Sequence, residues 1–355
     1  AGFKGVLEAY QRFAEVNWVR LPLGILIFVV PLCTIPLTTN LSVSAWMLLV
    51  VRFTAMFAML LFCRSVLRLT VGDKLRFSGA CLKQLFGYGL WMTVSNIVGP
   101  LMVYLDRFII GSLISATAVA YYTTPYEIVT RLWILPTALV GVLFPAVATS
   151  LVQDRHHAAR LYGKATNYIV LTLFPVCLII VFFAHEALSW WLNPDFANQS
   201  AFVLKVLALG VFFNSLAQTP FSILQGAGQP DWTAKVHLLE TPLYLLLLWQ
   251  LLHHYGINGV ALAWTLRIAL DTVIMFYLAG RILPESGQVL TQTALNCILA
   301  LFAFAPGFML NSLLLKISYT CVMIFVHVVY AWNKLLENDE KVILVSRLRA
   351  IARIA

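Results

Sequence analysis

Nine charged side chains fall inside otherwise apolar stretches of this sequence: Arg52, Asp106, Arg107, Glu127, Arg131, Lys205, Glu240, Arg267 and Asp271. A charge at the middle of a bilayer costs about 2.5–3.5 kcal/mol on insertion scales, so these groups are expected to face one another or a polar interior, where they could bind charged substrates or carry ions. Glu127/Arg131 and Arg267/Asp271 are each four residues apart, on one helix face and within bridging reach. Asp106 and Arg107 lie late in one apolar stretch and Glu127 early in the next, which sets them at similar depth, with Tyr104, Tyr121, Tyr122 and Tyr126 converging there. Arg52 has no acidic residue within a turn, and an unpaired guanidinium is a natural contact for a phosphate or another anion. Glu240 precedes Thr241-Pro242, where a kink would open backbone carbonyls and a carboxylate could titrate as a coupling group. Lys205 lies near the end of a span and is expected to snorkel.

The elements that must hold these charges are helices. The 355 residues are 61% hydrophobic and only 11% charged, well away from the roughly one-quarter charged composition of soluble domains. The apolar runs match the ~20 residues an α-helix needs to cross a bilayer, whereas transmembrane β-strands would be about half as long and would alternate. The expectation is an all-α polytopic membrane protein with ten spans, at 18–37, 42–63, 85–113, 119–149, 165–184, 201–224, 233–252, 259–280, 293–311 and 316–332. With the N-terminus inside, eighteen lysines and arginines fall in inside loops and ends against Lys316 alone outside, which predicts both termini cytoplasmic. The formal charge of +9 is therefore read as a topology signal; no aromatic-basic motif points to nucleic acid.

Prolines at 22, 31, 36, 100, 125, 136, 145, 175, 220 and 242 punctuate the spans and suit helices that bend. QGAGQPD at 225–231 reads as a tight turn between two helices, its G-x-G too short for a phosphate-binding fingerprint. The stretch 153–164 and the tail 333–355 mix apolar and basic residues and are expected along the membrane interface. Cys33, Cys63, Cys81, Cys177, Cys297 and Cys321 are scattered, without C-x-x-C spacing, and read as free thiols. Two sequons, at Asn40 and Asn198, fall in outside loops but carry little weight, and the first residue, Ala1, points to a processed or truncated N-terminus without a signal peptide. There is no Walker motif, H-E-x-x-H or G-x-S-x-G, and His156-His157 and His253-His254 are loop pairs; no metal site, cofactor or ATP-driven pump is expected.

GVLEAYQRFAEVNWVRLPLG at 5–24, the YLDRFIIG…YYTTPYEI run within 104–148 and LQGAGQPDWTAKVHLLE at 224–240 together resemble the Wzx-type lipid-linked oligosaccharide flippases of the multidrug/oligosaccharidyl-lipid/polysaccharide exporter superfamily. The resemblance implies a bacterial inner-membrane protein that moves undecaprenyl-pyrophosphate-linked glycan between leaflets, through a V-shaped pair of six-helix lobes coupled to an ion gradient. Asp106 matches the acidic residue of the family's seventh-helix LDR motif, which here falls on the third span. By that register about four N-terminal helices are missing. Residues 1–68 would hold the last two helices of an incomplete first lobe, 69–282 a complete second lobe, and 283–355 an appended helix pair with a basic tail.

The preferred reading is a secondary-active, non-enzymatic flippase for polysaccharide or O-antigen biosynthesis. Arg52, Arg107, Arg131, Tyr104 and Tyr126 are its candidate substrate contacts, and Asp106, Glu127, Glu240 and Asp271 its candidate coupling carboxylates for a proton or sodium ion. Its partners would be the lipid-linked oligosaccharide, the bilayer and other polysaccharide-assembly proteins. A multidrug/cation antiporter of the same superfamily would need carboxylates free of arginine, against the arginines beside Asp106 and Glu127. A membrane-embedded glycan polymerase or ligase would need a sizeable outside loop, and no predicted outside loop exceeds about sixteen residues. A purely structural membrane subunit is the remaining alternative.

Overall fold

The computed structural model describes residues 2–34, 41–67, 79–337, 339–342 and 346. The Asn40 sequon, Pro36, the side chain of Cys81, the inner-loop bases Arg68, Lys74 and Arg76 and most of the basic tail lie outside the described residues. Among the described residues there are helices and no strands, and the chain divides into two compact units, Ala1–Gly79 and Ala80–Ala355.

The first unit holds α1 (Gly2–Ala9), α2 (Phe13–Thr34) and α3 (Leu41–Leu67). Leu7, Val16 and Cys63 make a small core between them, and the Cys63 thiol donates to the Phe3 carbonyl at 3.1 Å. Elsewhere α2 and α3 turn Trp18, Phe28, Trp46 and Phe57 outward, as lipid-facing helices do.

The second unit runs through α4 (Gly79–Leu113), α5 (Ala116–Thr130), a single 3-10 turn at Arg131–Trp133, α6 (Ile134–Gln153), α7 (Arg155–Trp191), α8 (Pro194–Gly226), α9 (Pro230–Ile282), α10 (Gly287–Phe304) and α11 (Leu313–Tyr330). Local chemistry sets the joints. Ser115, Asp154 and Asn193 cap α5, α7 and α8 by accepting from the backbone N–H groups of Ala118, His157 and Phe196 at 3.0, 3.0 and 2.7 Å. The His157 N–H also holds the Asp154 carboxyl below the usual carboxylate range. The stretch 153–164, expected along the interface, is the end of α6 and the opening turns of α7. Past α8, Gly228 takes φ +73°, and the N–H groups of Gly228 and Gln229 return to the carbonyls of Gln225 and Leu224, the Schellman stop that the Gly/Pro turn required.

At 53 residues α9 would be about 80 Å long if straight, far more than ~30 Å of hydrocarbon. Its helical dihedrals break at Gly256 (φ 57°, ψ −138°), and the chain doubles back. Leu251 meets Gly259, Glu240 meets Arg267 and His237 meets Asp271, a ladder in which one number rises as the other falls. The two expected spans 233–252 and 259–280 are thus the antiparallel halves of one hairpin. Nine helices among the described residues are long and apolar enough to cross a membrane, and this one supplies two crossings.

Helix α8 is the post around which the second unit packs: 78% of its most apolar window is buried, against 6% for α2. Helices α5, α6, α7 and α9 all lie on it. Thr265 and Thr272 donate to the Val206 and Phe213 carbonyls at 2.9 and 3.1 Å, equal steps in the same sense, so the second half of α9 runs parallel to α8. Gly210 admits the Trp264 ring, which lies only 2.3 Å from where a β-carbon would stand. Lys205, expected to snorkel, is half-buried and donates to the Gly307 carbonyl, in the turn after α10, at 2.7 Å. The described cysteines 33, 63, 177, 297 and 321 are free thiols.

Candidate functional site

Asp106, Arg107, Glu127, Glu240, Arg267 and Asp271 gather where α4, α5 and the α9 hairpin meet, and they sort into two tiers. Asp106 is fully buried. Its Oδ2 accepts from the Tyr122 hydroxyl at 3.0 Å and its Oδ1 from the Tyr244 hydroxyl, so one carboxylate ties α4 to α5 and to α9. Arg107, the next residue, points the other way and donates to Glu127 at 2.8 Å, with its guanidinium 5.6 Å from the Tyr104 ring centre and 5.4 Å from that of Tyr126. Planar guanidinium over aromatic faces is a common arrangement for holding a cation partly desolvated.

A cavity of about 440 Å³ opens beside them, lined by Tyr104, Arg107, Tyr126, Glu127, Trp133, Asn214, His237, Trp264, Arg267 and Asp271 among others. On its α9 side four ionisable side chains stand close: Arg267 lies 3.6 Å from Glu240, and His237 lies 3.7 Å from Asp271. The expected bridge between Arg267 and Asp271 does not form among the described residues; Arg267 turns across the hairpin to Glu240 because the antiparallel partner offers a carboxylate at the same level. Both Glu240 oxygens, Asp271 Oδ1, His237 Nδ1 and Arg267 Nε are buried without a hydrogen-bond partner. These groups are held near one another with hydrogen-bonding capacity left over.

The candidate residues thus fall in different places. Tyr104, Arg107, Tyr126, Glu127 and Asp271 share the cavity wall, while Asp106 and Glu240 are buried and absent from its lining. Arg131 reaches Glu127 only at 4.0 Å with its side chain 84% exposed, because the 3-10 turn at Arg131–Trp133 swings it out while Arg107 takes the carboxylate. Arg52 is exposed on α3 of the first unit and has no ion pair among the described residues. His237, Tyr244, Trp264 and Asn214 were not legible as site residues. His237 carried one signal, its position three residues before Glu240 and hence on the same helix face.

Arg267→Met would leave Glu240 buried with its counter-charge gone, and is expected to destabilise the protein by about 3 kcal/mol. Adding Glu240→Gln should recover part of that loss, since the carboxylate left without its counter-charge would be gone while Asp271 stays beside His237. Unfolding temperatures of the two single variants and the double variant in detergent measure this.

Residues 11–197, more than half of the chain, match the polysaccharide biosynthesis protein family. The chain belongs to that family. The polysaccharide biosynthesis protein match takes in Arg52, Asp106, Arg107, Glu127 and Arg131 and stops short of the α9 charges. A Shigella flexneri protein named for O-antigen transport is 31% identical over 279 residues, covering 79% of this chain and 66% of its own length. A Haloferax volcanii protein named as a low-salt glycan biosynthesis flippase is 26% identical over 238 residues, 65% of this chain and 50% of its own. A membrane protein of Methanocaldococcus jannaschii is 22% identical over 246 residues, 68% of this chain and 48% of its own. The chain therefore spans about half to two-thirds of the length of these relatives.

Proposed function

We propose that this chain supplies most of a flippase that carries a lipid-linked oligosaccharide across the bacterial inner membrane for polysaccharide or O-antigen assembly, by transport and without an enzymatic step. The observation that carries the reading is the cavity whose wall joins the guanidiniums of Arg107 and Arg267 to the rings of Tyr104, Tyr126, Trp133 and Trp264, in a family whose relatives are named for O-antigen transport and glycan flipping. Guanidinium suits a diphosphate, and aromatic faces suit the apolar faces of sugar rings. Undecaprenyl pyrophosphate is the lipid carrier this reading assigns. Arg52 and Arg131 are further contacts along the substrate's route. Asp106, Glu127, Glu240 and Asp271 are the carboxylates through which a proton or sodium gradient would bias the direction of transport.

In this reading residues 1–68 close a first lobe, 69–282 form the second, 283–355 are appended, and both termini face the cytoplasm. Polysaccharide-assembly proteins would supply and consume the substrate. Deleting the gene in its host should remove the surface polysaccharide and cause the lipid-linked glycan to accumulate, and the full-length gene should restore export. Surface polysaccharide of normal amount and chain length in the deletion strain would sink the assignment, and normal amount with altered length would favour a polymerase.

A further inference from the structure

Away from the charge-lined cavity, two smaller cavities lie in succession along the seam between α7, α10 and the end of α11. The first, about 330 Å³, is lined by His156, Arg160, Lys164, Glu285 and Glu337 near the helix ends. The second, about 260 Å³, starts at Val170 and is walled by Phe174, Leu299, Ala300, Met323 and Val326. From Lys164 to Val170 is about 9 Å of helical rise, so the seam passes from charged to apolar within the length of a lipid headgroup and glycerol.

Each cavity carries a feature that the packing leaves unused. In the apolar one, Asn296 is only 3% exposed. Its Oδ1 accepts from the Tyr330 hydroxyl at 2.7 Å and Tyr330 accepts from Gln292 at 2.8 Å, whereas Asn296 Nδ2 has no partner. A buried donor left without a partner is costly, and an acceptor on an apolar ligand would relieve it. In the charged cavity Lys164 is paired with Glu337 at 2.7 Å and Glu285 with Arg155 at 3.0 Å, while Arg160 has no ion pair among the described residues. Two cations on α7, with one carboxylate just past α9 and one just past α11, complement a ligand that carries a phosphate and an ammonium together, rather than a bare anion.

We propose that this seam binds a glycerophospholipid with a phosphate–ammonium headgroup. The phosphate sits against Arg160 and Lys164 and the ammonium against Glu285 and Glu337; one acyl chain lies along Phe174, Leu299 and Met323, and its ester carbonyl accepts from Asn296 Nδ2. A polyprenyl phosphate lacks both the ester carbonyl and the ammonium, which separates this site from the transport cavity.

Native mass spectrometry of the delipidated full-length protein, titrated with dioleoyl phosphatidylethanolamine, dioleoyl phosphatidylglycerol, dioleoylglycerol or a C55 polyprenyl phosphate, tests it. One phosphatidylethanolamine should be retained at about tenfold lower concentration than the other three, a difference of about 1.4 kcal/mol. Glu285→Gln combined with Glu337→Gln should erase the preference between the two phospholipids, Arg160→Gln should weaken both relative to dioleoylglycerol, and Asn296→Leu should weaken both alike. Should Asn296→Leu fail to purify, the variant lacking both carboxylates still decides the matter. Equal retention of all four lipids, preference for the polyprenyl phosphate, or a phosphatidylethanolamine preference that survives replacement of both Glu285 and Glu337 by Gln would overturn the proposal.

Discussion

Asp106→Asn is expected to abolish glycan export in cells while the protein still inserts and purifies as a folded species. Asp106 is fully buried and accepts from two phenols on two different helices. Asparagine keeps one oxygen acceptor and presents an amide that the second phenol oxygen can accept, so the junction of α4, α5 and α9 survives at a cost of about 1–2 kcal/mol for the lost charge assistance. Under the proposed coupling role of Asp106, transport would be lost with its charge. Asp106→Leu is the contrasting variant: it leaves the Tyr122 and Tyr244 hydroxyls buried without an acceptor, at about 1–3 kcal/mol each, and should lower the unfolding temperature as well as export. Wild-type surface polysaccharide from Asp106→Asn would mean that the carboxylate only fastens helices.

The largest effect on folding is expected from Gly259→Ala. A β-carbon at this position would stand 1.9 Å from the Leu251 carbonyl oxygen and 2.4 Å from its carbon. Those are backbone atoms of the facing half of the hairpin, so no rotamer change relieves the clash and the two halves of α9 must part. The parting would pull Glu240 from Arg267 and His237 from Asp271, leaving charges buried without partners. A loss of about 4–5 kcal/mol follows, enough to prevent accumulation of most membrane proteins. Gly256→Ala, which strains a positive φ but meets nothing within 4 Å, should cost less, about 1–3 kcal/mol. Yield of monodisperse protein from the two variants ranks them, and equal yields would contradict the hairpin geometry.

The helical crossings were legible because crossing a bilayer forces ~20-residue apolar runs whatever the tertiary structure. The turn at 225–231 was legible because Gly228 and Pro230 permit little else. The close approach of Arg107 and Glu127 followed from their depth on successive helices. What escaped the sequence depends on contacts between distant residues. Spacing by four offered Asp271 to Arg267, yet the hairpin presents Glu240 from 27 residues away, and only the fold of α9 decides between them. Asp106 and Arg107 are neighbours in sequence but diverge around the helix by about 100°, so one is buried against tyrosines while the other faces the cavity. Tyr244 and Trp264 look like ordinary apolar-span aromatics until the hairpin brings them to Asp106 and Tyr126.

The proposed flippase function centres on the cavity beside Arg107, which would accept an anionic lipid-linked glycan. The most direct test is transbilayer movement of a polyprenyl-pyrophosphate-linked oligosaccharide in vesicles containing the full-length protein, followed by the accessibility of its sugars to an external glycosidase. Wild-type protein under an imposed proton or sodium gradient should move the glycan, and Arg107→Gln, incorporated to the same density, should slow that movement to the rate of protein-free vesicles. Movement by Arg107→Gln at the wild-type rate would contradict the account.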